Sequence, residues 1–115
     1  WAPLEWTFAG LWEIEPATLE EVVDRVQVVD VREEREFVGP LGHIRGAKLM
    51  PLAGLGTRHA ELDRARPVVT VCRSGARSAQ AAVLLGKAGF GEVANLAGGM
   101  LRWRASGYPV QGGVA

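Results

Sequence analysis

The sequence predicts an α/β layer sandwich on a mainly parallel sheet, and three observations carry the prediction. Short apolar runs alternate with helix-forming stretches along most of the 115 residues. Two of those runs, Val26 to Val31 and Val68 to Val71, are hydrophobic at nearly every position, as strands buried on both faces require. The stretch Ala76 to Lys87 concentrates its alanines on the side that would face such a sheet, which suits right-handed strand–helix–strand crossovers.

Each element follows from local chemistry. Gly10 to Ile14 is a short candidate strand. Pro16 then opens a helix reaching Val23 or Arg25, since its missing N–H costs nothing in a first turn. Val26 to Val31 is the first strongly apolar strand, Glu33 to Val38 a helical turn, and Gly39-Pro40-Leu41-Gly42 a loop by composition. Lys48 to Pro51 leaves room for a very short strand. Thr57 to Asp63 is helical until Arg66-Pro67 interrupts, because the residue before proline is driven to extended backbone. Val68 to Val71, β-branched throughout with Thr70, is the best strand in the chain. Ala76 to Lys87 is the longest helix, with Gly89 placed to cap it. Glu92 to Leu96 is the last strand and Met100 to Ser106 the last helix, whose Met100 and Trp103 mark a core stripe. Gly98-Gly99 reads as a close-packed turn before it.

Composition narrows the function classes. Thirteen basic residues balance thirteen acidic ones, so no global positive field argues for nucleic acid, and attraction for anions must be local. The single cysteine excludes an internal disulfide, and His43 and His59, sixteen positions apart, show no metal-ligand spacing. Neither cofactor nor metal is expected. No stretch approaches the ~20 apolar residues of a membrane span, and no signal pattern opens the chain, which points to a soluble, cytoplasmic protein. Because the chain starts at Trp1, a processed or exported form and an excised domain stay open.

The chemistry concentrates at Val71-Cys72-Arg73-Ser74-Gly75-Ala76-Arg77-Ser78. A strand delivers the lone cysteine to a tight, doubly basic, glycine-containing turn that opens directly into a helix. Backbone N–H groups of residues 73 to 77 should converge on the sulfur, and Arg73, Arg77 and the helix dipole should favour thiolate over thiol. An inert core cysteine is the competing reading, yet filler needs neither two arginines nor a glycine turn. Ser74 and Ser78 either add donors or cap the helix. Asp30 and Arg32 end another strand, where Asp30 orients the active loop or Arg32, unless the two form a mere surface ion pair worth under about 1 kcal/mol. His43, in Gly42-His43-Ile44, reads as a turn histidine holding backbone groups and not as a base.

Four blocks of the chain together resemble the single-domain rhodaneses. They are Val29-Asp30-Val31-Arg32 with Glu36-Phe37, Gly42-His43-Ile44-Arg45-Gly46-Ala47, the loop Cys72 to Ser78, and a closing pattern of Gly89-Phe90, Asn95-Leu96, Gly98-Gly99-Met100, Trp103 and Gly107-Tyr108-Pro109-Val110. The resemblance covers residues 10–110, leaving 1–9 as an extension outside it and 111–115 as a tail. Two tryptophans are unusual for a frayed extension, so it is expected to pack on the domain or on a partner. The resemblance implies a three-layer fold with about five strands and helices on both faces. It also implies sulfane-sulfur transfer through a Cys72 persulfide, from an anionic donor such as thiosulfate to cyanide or a thiol. Arg73, Ser74, Gly75, Ala76 and Arg77 would bind the donor, with Asp30, Arg32 and Ser78 in support, and no cofactor is implied. A protein sulfur acceptor or a fused domain is a possible partner.

Two alternatives remain. Cysteine-dependent phosphatases and arsenate reductases also place a cysteine in a strand-to-helix anion loop, and dual-specificity phosphatases resemble this fold, but their loop holds five residues between cysteine and arginine. Here four residues separate Cys72 from Arg77, a smaller cradle suited to sulfur. The other alternative is a sulfur-carrier or regulatory module of a larger protein, a class whose members commonly lack the cysteine retained here.

Overall fold

Four consecutive buried residues, Val68–Val71, form a central strand of the sheet in the computed structural model, which describes residues 1–7 and 10–114. The strands are β1 (Glu5–Trp6), β2 (Trp12–Ile14), β3 (Gln27–Asp30), β4 (Lys48–Leu49), β5 (Val68–Val71) and β6 (Val93–Leu96). The helices are α1 (Pro16–Val22), α2 (Glu34–Phe37), α3 (Leu55–Arg58), α4 (Ala76–Lys87) and α5 (Gly99–Ala105). The strand order is β1-β2-β6-β5-β3-β4, antiparallel only between β1 and β2 and parallel at every other pairing. The parallel part therefore holds the five strands expected.

Period-two alternation divides the apolar residues between two cores. Val28, Val69, Val71, Ala94 and Leu96 face α1 and α5, meeting Leu19, Val22, Met100 and Trp103. Val29, Val31, Val68 and Cys72 face the other way, toward Leu55 of α3 and Ala81 and Leu85 of α4. Central strands β3 and β5 are buried at all four positions, which is why their sequences lack polar alternation. The helix expected from Thr57 starts earlier, at Leu55, after a 3-10 turn at Leu52–Gly54, and continues as a second 3-10 turn at His59–Glu61. Burial of Leu55 and Leu62 sets those limits.

Residues on either side of the expected 10–110 span pack against it, as expected for the tryptophan-bearing extension. Residues Glu5 and Trp6 add a sixth strand, with Trp6 opposite Trp12 and their rings edge-on at 4.9 Å. Such a cross-strand aromatic pair contributes about 0.5–1.5 kcal/mol beyond its buried area, and short-range periodicity does not reveal it. Phe8 and Ala9 of the extension and Ala115 of the tail lie outside the described residues. In the tail, Gln111 exchanges two backbone hydrogen bonds with His43, at 3.0 and 2.8 Å, and the Val114 N–H donates to Pro40. No helix among the described residues is long and apolar enough to cross a membrane.

Candidate active site

Strand β5 ends at Val71 and hands the chain to Cys72, which is buried at the C-terminal edge of the sheet. The turn into α4 closes at Gly75 with φ +107°, a left-handed conformation that an L side chain would strain. That conformation aims the Gly75 N–H at the Cys72 sulfur, 3.0 Å away, while the Ser78 hydroxyl lies 3.3 Å from it. Burial pushes the Cys72 thiol up. Hydrogen bonds from the Ser78 hydroxyl and the backbone N–H groups of Ser78, Gly75 and Ser74 outweigh it and hold the thiol below its ordinary value. The backbone N–H groups act as the sequence suggests, and of the charges it also invokes, neither arginine is among the causes that lower the thiol. Ser78 sits inside the first turn of α4 with its hydroxyl on the sulfur, and neither it nor Ser74 caps the helix.

The second glycine that matters is Gly99, at φ +59°. A Cβ there would stand 2.5 Å from the Cys72 carbonyl oxygen and 2.6 Å from that of Arg73. Its absence lets the first N–H groups of α5 reach the loop: Met100 donates to the Cys72 carbonyl at 2.9 Å and Leu101 to the Arg73 carbonyl at 3.0 Å. The close-packed turn expected at Gly98-Gly99 thus fastens the back of the cysteine loop.

The two arginines have different surroundings. Arg77 is held by Glu36, with two parallel bonds of 2.7 and 2.8 Å. Glu36 also accepts from the Glu33 N–H at 3.1 Å, completing a capping box at the start of α2. The Arg77 guanidinium, with this backbone bond, holds the Glu36 carboxyl at about 2 despite partial burial. Arg73 is exposed and lines a cleft of about 440 Å³ with Arg32, Arg35, Glu36, Pro40 and Leu41. Ala76 begins α4 and is exposed, as is Ser74.

Asp30 and Arg32 are no surface pair: both are buried, with bonds of 2.7 to 3.1 Å between carboxylate and guanidinium. Arg32 further donates to the carbonyls of Gly42 and Glu36 at 2.8 and 3.1 Å. Asp30 therefore orients Arg32, which pins the backbone of Glu36 below Arg77. Removing either charge would leave its partner buried and unpaired, at a cost of about 3–5 kcal/mol. His43 is the turn histidine expected, with Nδ1 3.0 Å from the Phe37 carbonyl and its ring stacked on Phe37.

Sequence reasoning missed Asn95 and Glu36 as site residues. Asn95 is buried, 2.5 Å from the Ser78 hydroxyl through its side-chain oxygen, and its amide donates to the Gly75 carbonyl at 3.1 Å and to Glu13 at 3.2 Å. A polar residue at the third position of an otherwise apolar strand was the available signal. Glu36 stood in the first resemblance block, with nothing local beyond a capping box to mark it as a partner of Arg77. Among the described residues, no three His, Cys, Asp or Glu side chains converge as a metal site would need.

The chain is similar to known proteins in both sequence and fold. The chain is 43% identical over 79 residues to the uncharacterized protein YqhL of Bacillus subtilis, covering 69% of this chain and 61% of that protein. It is 40% identical over 85 residues to a sulfurtransferase of Allochromatium vinosum, covering 74% and 78%. The thiosulfate sulfurtransferase GlpE of Ectopseudomonas mendocina is 40% identical over 81 residues, covering 69% and 71%. The crystal structure of a rhodanese-related protein from Thermoplasma volcanium superposes with a TM-score of 0.78 at 31% identity, covering 84% and 94%. The family model for the rhodanese-like domain matches residues 15–106, a span that holds β3, the cysteine loop and both glycine turns, and the chain belongs to that family.

Proposed function

We propose that the protein is a sulfurtransferase that carries sulfane sulfur on Cys72. The observation that supports this most is the sulfur itself, buried and held toward the thiolate by the Gly75 N–H and the Ser78 hydroxyl. Thiolate chemistry needs no base. The Cys72 sulfur attacks the outer sulfur of thiosulfate, an S–S bond forms, and sulfite leaves with the electron pair of the broken bond. The outer sulfur of the resulting persulfide carries the negative charge, and the loop N–H groups stabilise it as an oxyanion hole would. Cyanide or a thiolate then attacks that outer sulfur, and the Cys72 thiolate is the leaving group. Arg73, exposed and lining the cleft beside the loop, is suited to the sulfonate end of the donor, while Arg77 reaches a donor only in competition with Glu36.

The test is Cys72→Ser. The wild type is expected to transfer sulfur from thiosulfate to cyanide and to gain roughly 32 Da, one sulfur atom, on incubation with donor alone. The variant should do neither, and transfer by the variant would overturn the mechanism. Aryl phosphate turnover by the wild type faster than sulfur transfer would instead favour phosphatase chemistry.

A further inference from the structure

Asn95 holds its amide in one orientation. Its nitrogen faces two groups that only accept, the Glu13 carboxylate and the Gly75 carbonyl, so the side-chain oxygen must face Ser78. The Ser78 hydroxyl has one hydrogen and two acceptors within reach, the Asn95 oxygen at 2.5 Å and the Cys72 sulfur at 3.3 Å. It cannot serve both. All three groups are buried, so water is a poor substitute for whichever acceptor goes without.

We propose that Asn95 is a positioning residue for Cys72: its side-chain oxygen accepts the Ser78 hydroxyl hydrogen bond while the sulfur is neutral and gives it up when the sulfur becomes anionic. In the thiol state the hydroxyl donates to Asn95 and its oxygen is left to accept from S–H. On ionisation the hydroxyl turns to the sulfur, and the Asn95 oxygen loses a bond. No covalent bond is made or broken in the turn; the proton lost by sulfur goes to solvent or buffer. The hydroxyl therefore stabilises the thiolate less than it would with no competitor, and its resting place follows the charge on sulfur. The inference extends the sulfur-transfer reading to a residue behind the nucleophile, yet it concerns ionisation alone and can be tested without a sulfur donor.

The experiment is a double-mutant cycle read by the pH dependence of iodoacetamide alkylation of Cys72. Asn95→Ala removes the competing oxygen and also the anchor on the Gly75 carbonyl. The lost anchor acts whether or not Ser78 is present, whereas the lost competitor acts only through Ser78. The midpoint change caused by Asn95→Ala should therefore lie about one pH unit lower in the Ser78 background than in the Ser78→Ala background, the size of one hydrogen bond to a charged group. Asn95→Leu removes the same oxygen while filling the space, so its coupling to Ser78 should have the same sign and remains readable if the alanine variant folds poorly. Equal midpoint changes with and without Ser78, in either series, would overturn the proposal. Failure of sulfur transfer with the coupling intact would sink the functional reading and leave this one standing.

Discussion

Replacing Glu36 by glutamine isolates the ion pair that ties α2 to the cysteine loop. The carboxyl of Glu36 is depressed from 4.5 to about 2, chiefly by the Arg77 guanidinium. At about 1.36 kcal/mol per pH unit, that depression caps the pair's contribution at about 3.4 kcal/mol. The Arg77 side chain is 37% exposed and the Glu36 side chain 24%, so solvent screening reduces the figure to about 1–2 kcal/mol. A carboxylate with a depressed native pKa stabilises the fold at pH values above its unfolded pKa and ceases to do so as pH falls through the native one. The wild-type advantage over Glu36→Gln should be full at pH 7 and more than half lost by about pH 3. Urea unfolding of both proteins at pH 7 and pH 3 measures it, with the midpoint reporting stability at constant slope. The same gap at both pH values, or none at pH 7, would refute the reasoning.

Other outcomes follow from the same geometry. Arg73→Ala should raise the KM for thiosulfate more than it lowers kcat, the mark of lost ground-state binding, and unchanged donor kinetics would remove Arg73 from the donor site. Gly99→Ala forces a left-handed residue, at about 1–2 kcal/mol, and drives a methyl into two loop carbonyls. We expect a loss of about 3 kcal/mol by urea unfolding together with slower Cys72 alkylation, because overpacking displaces the loop as well as straining it; wild-type stability would contradict the contact. Iodoacetamide should alkylate wild-type Cys72 with a midpoint below the ~8.5 of free cysteine, and a midpoint at or above that value would mean that burial outweighs the donors.

The class of fold and the place of the chemistry are both written in short stretches of the chain. Val68–Val71 was legible to the residue and Ala76–Lys87 closely so, because β-branched burial and alanine-rich helicity act over a few positions. Cys72, Gly75 and the helix behind them also lie within one short segment, so local chemistry locates the cradle. What lies behind it was decided only by tertiary structure. Arg77 finds Glu36 across 41 positions, and Ser78 finds Asn95 across 17. Neither contact has a local signature, since β6 and α2 come to β5 and α4 through sheet order and helix packing. The partition of Arg77 from Arg73, and of Asp30 from the loop, follows from which charges the fold buries together. Glu5 and Trp6 join the sheet for the same reason: a two-residue strand has too little pattern to read, and its pairing with Trp12 exists only once β2 is in place.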